Sequence, residues 1–290
     1  MEKGLIGKKN SKSSKISIFL SFFACLSFAF LISTITLATL YMNEKNSNLE
    51  KNLDIRKLQE PTEERYIPVL SKVTEEGGAY AQRGKYDIKN SKYFKYIDIF
   101  NMKSEGSLIL LEKFKTYQQT SSYSCGLASL IMAAYYVSGE VFNETELVEK
   151  AEADPETGTN INKLIDLVQK LGYECEHKKS FTEEECPSRS EEAFSKYIQE
   201  TLKKNQPIIV ISNDWGGHYS VIIGYDDMGT KDYIEDDVII IADPYDTTDH
   251  MNDGYTIFSY SRFYAQMQIK VFGVEDQDLN FITIKKKNSK

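Results

Sequence analysis

Gln119, Cys125, His218 and Asp243 stand in an order and a setting that fit nucleophilic catalysis by a thiol. Cys125 and Gly126 open an apolar run, Leu127, Leu130, Ile131, Ala134 and Tyr135, whose spacing predicts one face of a helix. A cysteine at a helix N-terminus meets a partial positive charge and unpaired backbone N–H groups, which favour the thiolate, the attacking form. Gln119, six residues upstream, carries a side-chain amide able to donate to an oxygen on which negative charge develops. The plainer alternative for Cys125 is a small side chain packing a core helix. A base within reach separates the two readings.

The chain has 3 histidines to choose from. His177 lies among the charges Glu174, Glu176, Lys178 and Lys179 and reads as a surface residue, and His250 sits in the polar loop Thr248-Asp-His-Met-Asn-Asp253, where it is expected to be exposed. His218 differs, because it begins an apolar stretch directly after Trp215-Gly216-Gly217, where two glycines allow close approach. Asp243 ends the next apolar run and is followed by Pro244, which fixes it at a rigid strand terminus. If these two strands are neighbours, Asp243 accepts from the His218 ring and sets its tautomer. Each residue alone also has an ordinary structural reading, a strand-start histidine or an aspartate opening a turn. Their combination in this order is far more specific.

The elements that must position these residues are legible as a change of period. The cysteine helix is expected to end near Ser138-Gly139. Asn143 with Glu146 marks the start of a helix to about Ala153, and Thr159-Asn160 caps another from Ile161 to Leu171, stopped by Gly172. A strand is expected over 173–177 and an amphipathic helix over 190–204. The apolar runs 207–212, 218–225 and 238–243, bounded by Gly, Asp and Asn, predict three antiparallel strands, with a fourth over 255–259 and a short helix over 261–268. Residues 107–111 read as a short strand, and no element is assigned to the tail 275–290. Helices first and strands afterwards predict an α+β domain, the cysteine helix packed on an antiparallel sheet and the site in the groove between them.

Gln119 with Cys125-Gly126-Leu127-Ala128, then Gly217-His218-Tyr219-Ser220-Val221-Ile222-Ile223-Gly224-Tyr225, then Ile241-Ala242-Asp243-Pro244, resembles family thirty-nine of the cysteine peptidases. This papain-clan group includes the bacteriocin leader-processing peptidases, and the resemblance spans roughly residues 107–270. It implies a papain-like fold and peptide or protein substrates, with Cys125 as nucleophile, His218 as base, Asp243 orienting it and Gln119 in the oxyanion hole. Two departures matter. An acidic insertion (Asp226, Asp227, Glu235, Asp236, Asp237) lies between His218 and Asp243, and no transporter domain follows. Cleavage after a double glycine is therefore not implied. An acyl transferase or transpeptidase using the same triad, and a peptide-binding module without turnover, remain alternatives.

Composition bounds the setting. From Ile16 to Met42 there are 27 residues without a charge, enough to cross about 30 Å of hydrocarbon. Lys3, Lys8, Lys9, Lys12 and Lys15 against Glu2 place residues 1–15 in the cytoplasm, which predicts a single-pass anchor at 16–42, a polar tether at 43–65 and an extracytoplasmic domain at 66–290 in the cell membrane. The rival, a cleaved signal peptide, normally has a shorter apolar region and a small-residue cleavage site. Without residues 1–15 the remainder holds 30 Lys+Arg and 42 Asp+Glu, a net charge of −12, which argues against a nucleic-acid partner. Cys25 reads as packing in the apolar span, whereas Cys175 and Cys186 could pair as a disulfide outside the cytoplasm. The loop holding Asp243, Asp246, Asp249 and Asp253 does not match the calcium-loop spacing, so neither metal nor cofactor is assigned.

Overall fold

In chain order the elements are β1 (Leu108–Leu110), α1 (Cys125–Ser138), α2 (Glu144–Ala151), α3 (Ile161–Lys170), β2 (Tyr173–Glu176), α4 (Glu191–Leu202), β3 (Ile208–Ser212), β4 (His218–Asp226), β5 (Val238–Ala242), β6 (Tyr255–Ser259), α5 (Tyr260–Gln268) and β7 (Phe281–Lys286). The computed structural model describes residues 36, 39–43, 63–71, 74–85, 87–88, 91–176, 190–268 and 281–287. The chain divides into two units, Met1–Glu60 and Pro61–Lys290. In the first, Thr36 and residues 39–43 are helical and exposed; the rest of the 16–42 span, with Cys25, lies outside the described residues. No described helix is long and apolar enough to cross a membrane. His177 and Cys186 also lie outside the described residues, while Cys175 is a free thiol in β2.

Local chemistry sets the helix limits. Asn143 Oδ1 accepts from Thr145 N at 3.0 Å, Asn160 Oδ1 from Asn162 N at 2.9 Å, and Ser190 Oγ from Ala193 N at 3.3 Å. Each such cap is worth about 1 kcal/mol. Gly139, at φ 75°, closes α1, and Glu152, at φ 51°, closes α2, whose last residue, Ala151, falls two before the expected Ala153. The cysteine helix departs from its one-faced pattern: Ala128, Met132 and Ala133 are as fully buried as Leu127, Leu130 and Ile131. A helix buried on every side is a central one. It packs against β3, β4 and β7, and each buried Leu or Ile there contributes roughly 1.5–3 kcal/mol.

The α+β layout with an antiparallel sheet is the one the sequence predicts. Strand order is β2-β7-β3-β4-β5-β6, with β1 pairing the far half of β4. Every pairing is antiparallel. β7 comes from the tail to which no element was assigned, and it lies inside the sheet between β2 and β3. Phe281, Ile282, Thr283 and Ile284 are all buried. A strand covered on both faces shows no alternation, which is why a short apolar run there carries no period.

The end of the expected tether also belongs to the second unit. Arg65 is 2% exposed, pairs with Asp98 at 3.2 Å and Asp253 at 3.4 Å, and donates to the Tyr96 hydroxyl. Ile67 N donates to Thr116 O at 2.9 Å beside it.

Candidate active site

The site is assembled where α1 begins, β4 begins and β5 ends. Ser124 precedes α1 without capping it through its side chain, so the first turn points N–H groups outward at Cys125. Gly126 is required next to it, since a Cβ there would meet Thr159 Cβ at 2.9 Å. In the sheet, Val221 of β4 faces Ala242 of β5, and continuing that register by one residue sets Asp243 opposite Ser220. Side chains two apart on a strand share a face, so His218 is the diagonal neighbour of Asp243. Their side chains meet: His218 Nε2 lies 2.6 Å from Asp243 Oδ1. Asp243 Oδ1 also accepts from Tyr245 N at 2.8 Å, and Asp243 N donates to Gly254 O at 2.9 Å. The aspartate is held from both chain directions.

With Nε2 on the carboxylate, Nδ1 is the ring nitrogen left for Cys125, whose thiol is among the groups that raise the His218 pKa. Cys125, His218 and Asp243 are 8%, 5% and 7% exposed. Burial opposes a charge on the imidazole, but Asp243, first by charge and then by hydrogen bond, and Cys125 after it, push the His218 pKa up to about 10. The ring is therefore held as imidazolium at neutral pH.

Gln119 is 1% exposed. Its Nε2 donates to Ser121 O at 2.7 Å, which fixes which end of the amide is nitrogen and leaves one N–H free. The backbone around it is fully held. Gln119 N donates to Pro244 O at 2.9 Å, Gln119 O accepts from Tyr80 N at 3.1 Å, and Thr120 O accepts from Glu75 N at 2.8 Å. Thr120 N donates to both carboxylate oxygens of Glu144, at 3.0 and 3.1 Å. The Gln119–Pro244 bond ties the glutamine loop to the residue after Asp243.

Two contributors escaped the sequence reading. Trp215 stands edge-on to His218 with ring centroids 5.2 Å apart and an 88° angle, and edge-on to Tyr245 at 5.3 Å. It has φ 49°, and Gly216 and Gly217 follow at φ 87° and 147°. This left-handed run folds the indole back over the histidine. The pair of glycines was the visible signal; the tryptophan's target was not. The second is Glu144, the buried first residue of α2.

A cleft of about 590 Å³ opens from Cys125. Trp215, Gly216, Gly217 and Tyr219 form one wall, and the 154–163 segment forms the other.

His250 plays no part in this arrangement. His250 is half-buried, not exposed, and packs edge-on to Phe94 at 5.0 Å. In the acidic loop, Asp246 Oδ2 accepts from Gly254 N at 2.8 Å and Asp253 pairs with Arg65. Among the described residues, no group of three or more His, Cys, Asp or Glu side chains is arranged to hold a metal ion.

A model of the Peptidase_C39 like family matches residues 111–270. Among solved structures, the peptidase domain of Streptococcus ComA, a bi-functional ABC transporter of a quorum sensing pathway, is 20% identical, with 60% of this chain and 99% of that one covered at a TM-score of 0.42. A double glycine motif protease from an AMS/PCAT transporter, in complex with its leader peptide, is 17% identical, with 59% and 88% covered at 0.36. A fragment of Prevotella intermedia prointerpain A is 13% identical, with 51% and 41% covered at 0.28. A search of curated proteins returned no match.

Proposed function

The chain belongs to the Peptidase_C39 like family, and from that footing we propose that it is a cysteine peptidase acting on peptide or protein substrates. The observation that carries the reading is the buried His218–Asp243 pair at 2.6 Å with Cys125 on the ring's other side. In this reading the Cys125 proton already resides on Nδ1, so that the thiolate faces an imidazolium stabilised by Asp243. The sulfur attacks the substrate carbonyl carbon, and the carbonyl oxygen takes up the electron pair. The free Gln119 N–H and the Cys125 backbone N–H donate to that oxyanion. His218 Nδ1 then protonates the leaving amine as the C–N bond breaks. Water, deprotonated by His218, hydrolyses the thioester and restores the thiol. Trp215 screens the His218–Asp243 bond from solvent, which strengthens it.

The uncharged stretch 16–42 and the lysines before it support a single-pass anchor with the peptidase domain extracytoplasmic. The test of the chemistry is Cys125→Ala. Peptide hydrolysis by the purified chain is expected to vanish, and hydrolysis that continues unchanged rejects the assignment. Product analysis with an added amine separates hydrolysis from acyl transfer.

A further inference from the structure

Glu144 is the first residue of α2, is 1% exposed, and carries a carboxylate with no cation among its hydrogen-bond partners. A buried unpaired carboxylate is expensive, so its surroundings must repay its lost hydration. They do so only with groups of the candidate site's own loop. Thr120 N donates to both oxygens at 3.0 and 3.1 Å, and the Tyr117 hydroxyl donates to Oε2 at 2.9 Å. Burial raises the Glu144 pKa, and hydrogen bonds from Ser124, Thr120 and Tyr117 pull it back. Ser124 is also the residue before Cys125, and its Oγ accepts from Ser121 Oγ at 2.7 Å. One carboxylate therefore gathers residues 117 and 120, which flank the glutamine on either side. Of the four partners that hold the backbone of Gln119 and Thr120, it is the one side chain; the other three are backbone groups.

We propose that Glu144 is a positioning residue for oxyanion stabilisation: from the first turn of α2 it clamps Tyr117 and Thr120, on either side of Gln119, so that the Gln119 amide and the Cys125 N–H converge on one point. This rests on the peptidase reading above. Replacement by glutamine keeps the shape but sets an NH₂ group where both oxygens now accept. Either Thr120 N–H or the Tyr117 hydroxyl then faces a donor, and the loop shifts.

The purified full chain is tested with two electrophiles on Cys125, each followed by mass spectrometry. Iodoacetamide reports the nucleophile alone. An Ala-Ala chloromethyl ketone also passes through a tetrahedral adduct whose oxygen needs the oxyanion donors. In Glu144→Gln the ketone rate is expected to fall about tenfold or more while the iodoacetamide rate stays within about twofold. Gln119→Ala is expected to give a comparable loss, and the double variant no further loss. A merely structural role would move both rates together and leave their ratio unchanged. Should Glu144→Gln fail to fold, Tyr117→Phe removes one of the clamped groups and is expected to lower the ratio by a smaller factor. An unchanged ratio in the folded variant overturns the proposal. If the parent's Cys125 is reactive but gains nothing with the ketone, the oxyanion role of Gln119 falls and this proposal with it. An inert Cys125 overturns the peptidase reading itself.

Discussion

Replacing Asp243 by asparagine should change the pH dependence of stability in a direction fixed by the site. His218 sits with its pKa raised from 6.5 to about 10, although burial pulls the other way. A raised imidazole keeps its proton in the folded chain while the unfolded chain has lost it. Its contribution is therefore complete below pH 6.5 and is lost as pH climbs through the folded value near 10. Across that window the stability falls by about 1.4 kcal/mol per pH unit, the linkage slope of one proton, or about 2 kcal/mol between about pH 7 and about pH 8.5. Asp243→Asn removes the strongest of the causes that raise the pKa and leaves burial, which lowers it. The variant should then lose this slope above pH 6.5, and below it should become less stable as acidity increases, because the unfolded chain binds a proton that the folded one refuses. Working in a Cys125→Ala background removes the thiol's own part in raising the His218 pKa from both curves. The assay is urea unfolding by far-ultraviolet circular dichroism at several pH values. At about pH 6 the asparagine variant should be less stable by roughly 3–5 kcal/mol, the usual penalty for removing one partner of a buried ion pair. Parallel stability curves for the two chains from about pH 6 to pH 8.5 would refute the reasoning.

Trp215→Ala should lower kcat by about tenfold with little change in Tm, since the indole is 63% exposed yet stands edge-on to His218; an unchanged kcat would remove its screening role. Gly126→Ala places a Cβ 2.9 Å from Thr159 Cβ, so it should destabilise by about 1–3 kcal/mol, read as a fall in Tm. Truncation before Phe281 removes β7 from between β2 and β3, and the shortened chain should lack a cooperative thermal transition; a transition like that of the full chain would show the strand to be dispensable.

Much of the fold and the candidate site was legible because its signals are local. Asn143, Asn160 and Ser190 announce helix starts through side-chain chemistry that acts within three residues. The runs containing His218 and Asp243 are recognisable as strands from their own residues, and the order Gln119, Cys125, His218, Asp243 survives into three dimensions with His218 on Asp243 and Cys125. The sequence determined by itself most of the elements, where they end, and which side chains were candidates for the site, since propensity, capping and period depend on near neighbours. Tertiary structure decided the rest. It inserted β7 between β2 and β3, because strand neighbours are chosen by packing over long separations and not by any period in the strand. It buried Arg65 between Asp98 and Asp253, turned Trp215 over His218, and brought Glu144 under Thr120. Apart from the Trp215–His218 contact, which a left-handed turn makes over three residues, each of these joins segments far apart in the chain. Such contacts have no spacing to read, and only the closed core fixes them.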